Sequence, residues 1–316
     1  MEMRNLGRSG LRVSAIGLGC NNFGGRIDLE ASRAVVHAAL DAGITLFDTA
    51  DVYGERGGSE TVLGEILGPR RKDIVLATKF AMPMDADGTL QGASRRYIIS
   101  AVEASLKRLR TDWIDLYQQH QADRLTPIEE TLRALEDLTR AGKIHYAGCS
   151  NLPAWQVVEA VWTARSAGLA GFISCQDEVS LLVRKHEAEL MPAMRAHGLG
   201  LLPYFPLASG LLTGKYKRNA ALPEGARLTK TQRLADRYLT SDNWAVAEKL
   251  DDFAAARGRT LLELAFSWLL ARPPIASVIA GATRPDQIRA NATAGGWVLT
   301  EAELAEIDAI TSGRDA

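Results

Sequence analysis

Short apolar runs alternate with amphipathic stretches along most of the chain. The runs stand at 14–18, 44–47, 74–78, 114–119, 143–148, 171–176, 200–203 and 275–280. Each has the length of a strand and is bounded by polar or glycine positions. Helical periodicity fills the intervals 31–42, 95–109, 127–140, 153–166 and 187–196, and continues at 285–292 and 301–310. In 127–140, Ile128, Leu132, Leu135 and Leu138 share one helical face. Four helices close on glycine before the next run, at Ala42-Gly43, Ala141-Gly142, Ala167-Gly168 and His197-Gly198. Glycine there supplies a left-handed cap that turns the chain into a strand. Strict alternation predicts a parallel sheet. Eight units in 316 residues predict an α/β protein with a (β/α)8 TIM barrel, one domain spanning 1–316. Residues 3–14 alternate around Gly7-Arg8-Ser9-Gly10 and predict an N-terminal β-hairpin. The stretch 301–310 predicts a C-terminal helix against the barrel. The spacing breaks once, where about 70 residues separate the seventh and eighth runs and include a basic stretch from Lys215 to Arg237; a loop of that length is usually functional.

Composition narrows the classes. A hydrophobic fraction of 47% suffices for a large core, and a net charge of −1 gives no bias toward nucleic acid or anionic membrane. Cys20, Cys149 and Cys175 are too scattered for a disulfide framework or a metal cage. Cys149 and Cys175 lie in apolar runs, which predicts buried packing. The N-terminus Met-Glu-Met-Arg-Asn-Leu has no signal-like run, and no stretch approaches the roughly 20 apolar residues of a membrane helix. These features predict a cytoplasmic protein with no nucleic-acid or membrane partner, and no protein partner is evident.

Catalytic residues of such barrels stand at the C-terminal ends of the strands. Those ends carry Asp48, Lys79, His120, Ser150 with Asn151, Gln176 and Tyr204. Tyr53 follows Asp48 in a Gly-rich loop, read as exposed. A lysine at a barrel mouth needs a partner, and Asp48 on the neighbouring strand is the natural one. The same lysine is placed to lower the pKa of Tyr53 from about 10. Taken singly, Asp48–Lys79 reads equally as a structural ion pair, His120 as a satisfied core histidine and Tyr53 as packing. Together, at adjacent strand ends, they are hard to explain as packing.

In their local frames Asp48, Tyr53, Lys79 and His120 resemble the catalytic tetrad of the aldo-keto reductases. The resemblance covers nearly the whole chain, through Phe47-Asp48-Thr49-Ala50, Gly148-Cys149-Ser150-Asn151, Pro206 to Tyr216, and Gly281-Ala282-Thr283-Arg284 with Gln287 and Asn291. It is closest in pattern to the bacterial branch that includes potassium channel β-subunits.

The resemblance implies reduction of a small-molecule carbonyl substrate by NADP(H), with Tyr53 as general acid, Lys79 held by Asp48, and His120 orienting the carbonyl. It implies that Ser150, Asn151 and Gln176 bond the nicotinamide carboxamide, beside Gly19, Cys20, Asn21 and Asp48. It assigns Tyr204, Phe205, Pro206, Leu207, Ser209, Gly210, Leu211 and Lys215 to the loop over the pyrophosphate. Gly281, Thr283, Arg284, Gln287 and Asn291 fall at the adenosine end, and Arg284 opposite a 2′-phosphate implies NADPH over NADH. No metal is implied. Two departures stand out. Val179 replaces a common Tyr, so that either Tyr204 stacks on the nicotinamide instead or cofactor binding is weaker. Cys20-Asn21-Asn22 replaces bulkier residues, which implies a more polar or roomier pocket. The alternative function is a redox-sensing subunit that holds NADP with slow turnover. No Gly-x-Gly-x-x-Gly follows a strand, so a separate dinucleotide domain is not expected. The loops at 20–26, 81–93 and 209–240 are expected to line the substrate pocket, with no diagnostic cluster of cations in any one of them.

Overall fold

A computed structural model describes residues 1–312. An antiparallel hairpin leads, β1 (Met3–Asn5) with β2 (Arg12–Ser14). Eight parallel strands follow: β3 (Ile16–Gly19), β4 (Leu46–Asp48), β5 (Val75–Phe80), β6 (Ile114–Gln119), β7 (Ile144–Ser150), β8 (Phe172–Glu178), β9 (Gly200–Tyr204) and β10 (Val278–Gly281). They pair in sequence order, and β10 lies beside β3. The remaining seam, between β9 and β10, closes through one bridge from Leu201 to Ile275. Leu201 N donates to Pro274 O and Ala276 N to Leu201 O, each at 3.0 Å. Pro273 and Pro274 offer no amide hydrogen, so a longer ladder is not available there.

The strands alternate with helices: α1 (Leu29–Asp41), α2 (Tyr53–Leu67), α3 (Arg95–Leu109), α4 (Ile128–Arg140), α5 (Ala154–Ser166) and α6 (Leu190–His197). Between β9 and β10 lie α7 (Arg227–Lys230), α8 (Gln232–Tyr238), α9 (Ser241–Ala255) and α10 (Leu261–Leu270). After β10 come α11 (Pro285–Ala294) and α12 (Glu301–Ile310). The long interval between the seventh and eighth strands is therefore largely helical. α10 starts on a capping box, Thr260 with Glu263. Gly43, Gly142, Gly168 and Gly198 all hold positive φ, as the helix-to-strand turns require.

Two cores result. Leu46, Ala77, Leu116, Leu202, Ala276 and Ile279 fill the barrel interior, and Leu6 and Val13 of the hairpin plug its lower end. The larger core lies between sheet and helices. The plug seats closely. Gly7 has φ +60, and a Cβ there would fall 2.5 Å from Gly198 O. The first barrel strand begins at Ile16 rather than 14, because Ser14 belongs to the hairpin. Its hydroxyl accepts from Thr45 N (2.9 Å) and donates to Ile16 O (2.6 Å). The last strand likewise runs Val278–Gly281 rather than 275–280. Cys149 and Cys175 are buried, free and in register on β7 and β8.

Candidate active site

A cavity of about 720 Å³ opens at the C-terminal ends of the strands, where the alternation of strand and helix leaves polar strand-end residues without cover. Lys79 is fully buried at the end of β5. Its ammonium donates to both oxygens of Asp48 and to Thr49 O, each at 2.8 Å. Burial opposes its charge, but Asp48 and then Tyr53 outweigh it, and the Lys79 pKa is raised. A buried lysine survives as a cation only through such partners. Gln176 Nε2 adds a bond to Asp48 Oδ1 at 2.8 Å.

Tyr53 leads into a glycine-containing turn, residues 54–57, ahead of the regular part of α2, as the sequence reading expected, but it is not exposed. It is half-buried, with the Lys79 ammonium 5.0 Å from its ring centroid and the His120 ring edge-on at 5.6 Å. The expected lowering of its pKa is not what the site produces. Burial raises the phenol pKa and the Lys79 charge offsets this only in part. A raised pKa keeps the phenol protonated. His120 is held neutral, its pKa brought down to about 3 by burial and by Lys79. Its Nδ1 is buried without a partner. The site thus combines a protonated phenol, a neutral imidazole and a fixed cation.

Ser150 and Asn151 stand beside this group. Ser150 Oγ donates to Gln176 O (2.7 Å), Asn151 Nδ2 to His120 O (3.0 Å), and Tyr204 OH to Asn151 Oδ1 (2.7 Å). The wall also contains Gly19, Cys20, Asn21 and Asp48, then Phe205, Pro206, Leu207, Ser209 and Gly210. Leu211 is buried behind that wall. Val179 is buried away from the cavity, whereas Tyr204 faces it. At the far end stand Gly281, Thr283, Arg284, Gln287 and Asn291. Gln287 Oε1 accepts from Thr283 N at 2.7 Å. Arg284 is exposed and pairs with Asp286 through two contacts of 3.1 Å.

Sequence reading missed Arg26, Arg227 and Arg233, which line the cavity with Lys215. They come from two stretches far apart in the chain, Arg26 before α1 and Arg227 and Arg233 on α7 and α8, so no strand end announces them. Arg26 spans the mouth to Gly225 O at 2.8 Å. Arg227 lies over the Phe205 ring at 5.3 Å. Burial, Arg26 and Arg284 lower the Lys215 pKa; burial and Arg26 lower that of Arg227. Among the described residues neither cation has a carboxylate at ion-pair distance. The nearby backbone is strained into a cradle, with positive φ at Phe205, Ala208, Ser209 and Gly210. Gly210 is required there, since its φ is +103 and a Cβ would lie 3.0 Å from Lys215 Nζ. Ser209 Oγ is buried without a partner. Crowded cations, an open cradle and an orphaned hydroxyl fit a polyanionic, phosphate-bearing ligand. Among the described residues no group of side chains could hold a metal ion, and no helix is long and apolar enough to cross a membrane.

Comparison with known proteins gives a match of residues 15–312 to the model of the Aldo/keto reductase family. A probable voltage-gated potassium channel subunit beta of Arabidopsis thaliana is 39% identical over 300 residues, covering 92% of this chain and 90% of that one. An uncharacterized oxidoreductase of Bacillus subtilis, YrpG, is 38% identical over 92% of this chain and 89% of its own. An L-glyceraldehyde 3-phosphate reductase of Escherichia coli is 33% identical over 98% and 92%.

Proposed function

This chain belongs to the aldo/keto reductase family of oxidoreductases, and we propose that it reduces aldehydes or ketones to alcohols with NADPH, Tyr53 acting as general acid. The observation that carries the reading is Tyr53 held between the Lys79 ammonium and a neutral His120, at one end of a cavity whose other walls are cationic. Ser150 and Asn151 would hold the carboxamide, joined by Gln176 once its amide turns from Asp48. The cradle at 205–210 with Lys215 and Arg227 would take the pyrophosphate, and Thr283, Arg284, Gln287 and Asn291 the adenosine end. When bound, the dihydronicotinamide supplies the hydride.

The residues of the chain do the rest. Tyr53 delivers its proton to the carbonyl oxygen as negative charge develops there. Lys79 stabilises the resulting tyrosinate and the oxygen, its position fixed by Asp48 and Thr49 O. His120, being uncharged, orients the carbonyl by a hydrogen bond and does not compete as the acid. Tyr204 closes one wall and helps exclude water. The likeness to channel β-subunits favours a second reading, a regulatory subunit that holds NADP and turns over slowly. A panel of aldehydes and ketones, followed by loss of reduced-nicotinamide absorbance with each cofactor, separates the two. Rapid turnover with NADPH supports the reductase. Tight NADP binding with negligible turnover across the panel, and a protein retained with the chain, would favour the subunit.

A further inference from the structure

Around Tyr53 three carboxyl groups, Asp48, Asp51 and Glu60, share two cations, Lys79 and Arg108. Lys79 is committed to Asp48 at 2.8 Å. Arg108 on α3 is committed to Glu60 on α2, Nε to Oε2 at 2.6 Å, and Glu60 Oε1 takes the Thr78 hydroxyl at 2.5 Å. The third carboxyl, Asp51, is 1% exposed, and neither of its buried oxygens has a partner in hydrogen-bonding geometry, although the adjacent Val52 amide lies near enough to ease its charge. Burial of a carboxyl with no fixed ion-pair partner disfavours its charged form. The surroundings therefore favour the protonated acid at Asp51.

The position of this group matters because Tyr53 lies between Asp51 and Glu60 in the chain. The segment is pinned at both ends. Asp51 N donates to Lys79 O at 3.2 Å, and Glu60 is held by Thr78 and Arg108. Between them Gly54, Glu55, Arg56 and Gly57 all have positive φ, a turn that the two non-glycine residues enter under strain. We propose that Asp51 is a positioning residue for Tyr53, and that loss of its proton drives the Asp51 end of the turn from Glu60, withdraws the phenol from Lys79 and His120, and shuts off reduction. The charged and titratable groups around it act in both senses. Burial and Glu60 raise the Asp51 pKa, to about 8, while Arg108 and Lys79 lower it less. The remaining neighbours, Tyr97 on α3 and Tyr117 on β6, are themselves pushed up, first by burial and then by Asp51, and stay neutral. The Tyr117 hydroxyl is also buried and orphaned.

The inference rests on the reductase reading, so its test has an arm that needs no turnover. Infrared spectra of the whole protein should show protonated-carboxyl absorption at about pH 7 that fades toward about pH 9, from Asp177 as well as Asp51, and Asp51→Asn should lack the Asp51 part of it. With NADPH and 4-nitrobenzaldehyde as probes, wild-type kcat should fall at least about tenfold over that range, while the NADPH Kd holds steady. In Asp51→Asn, which mimics the neutral acid, the ratio of kcat at the two pH values should stay near one. Tyr53 does not produce this step, because its own pKa is raised above 10. A titrating acid absorption of the same size in wild type and Asp51→Asn would overturn the proposal. So would an alkaline fall in Asp51→Asn equal to that of the wild type, or a parallel loss of cofactor binding.

Discussion

Lys79 makes three hydrogen bonds at 2.8 Å with none of its surface in water, and burial first, with this cation second, sets the protonation states around it. It holds Asp48 and adds to the burial that keeps His120 neutral. These side chains were legible because each follows directly on a readable strand. The raised pKa of Tyr53 was not legible, since it depends on how deeply the ring sinks between β4, β5 and β6. Arg227 was illegible for another reason: it sits in a polar stretch far from the strand ends and reaches the cavity only by folding over Phe205. At the other end of the cavity stands Arg284, which we propose bears on cofactor choice. A guanidinium can grip a 2′-phosphate with two bonds, but here it is exposed and half-neutralised by Asp286. We expect Arg284→Ala to weaken NADPH binding about tenfold and leave NADH unchanged. Asp286→Asn should tighten NADPH. Titrations with both cofactors check this, and equal weakening of both would remove Arg284 from the choice.

At the scale of elements, the barrel strands and seven of the helices were readable from apolar runs and helical periodicity, and α1, α4, α5 and α6 also from the glycine that follows each before the next run. The insertion between β9 and β10 lacks these signals at its start. α7 and α8 have only 4 and 7 residues and are mostly polar, too short for a period to show. Tertiary contacts hold them instead. Glu178 on β8 accepts from Arg237 at 2.5 Å and from the Tyr238 hydroxyl, and Tyr216 OH accepts from Leu228 N at 3.2 Å. The span between Thr213 and α7 has no regular structure and carries Lys217 and Arg218, paired at the surface with Asp251 and Glu248. Since this span leads directly to the cationic wall, NADPH should shield it. Limited proteolysis at Lys217 and Arg218 is expected to slow with NADPH present. Equal cleavage with and without cofactor would make the insertion a passive surface element.

Over the whole molecule, buried titrating groups tie stability to pH from both sides. Asp51 and Asp177 have pKa values raised to about 8, chiefly by burial. A raised acid contributes stability that is full below its unfolded pKa, near 4, and is lost as pH climbs through about 8. His120 and His186 are lowered to about 3 and about 4, again chiefly by burial. Their contribution is full above an unfolded pKa near 6.5 and is lost as pH falls toward the folded values. Denaturant unfolding should therefore show stability falling between about pH 6.5 and about pH 8.5, and Asp177→Asn should flatten that slope; an unchanged slope would mean Asp177 is not the titrating group. The central claim is more direct, that this barrel reduces carbonyls through the Tyr53 phenol. It is tested by the loss of reduced-nicotinamide absorbance for wild type and Tyr53→Phe on the same aldehydes, with NADPH affinity measured alongside. The account predicts a fall in kcat of about 10²-fold or more with the cofactor Kd unchanged. Equal rates for the two proteins would contradict it.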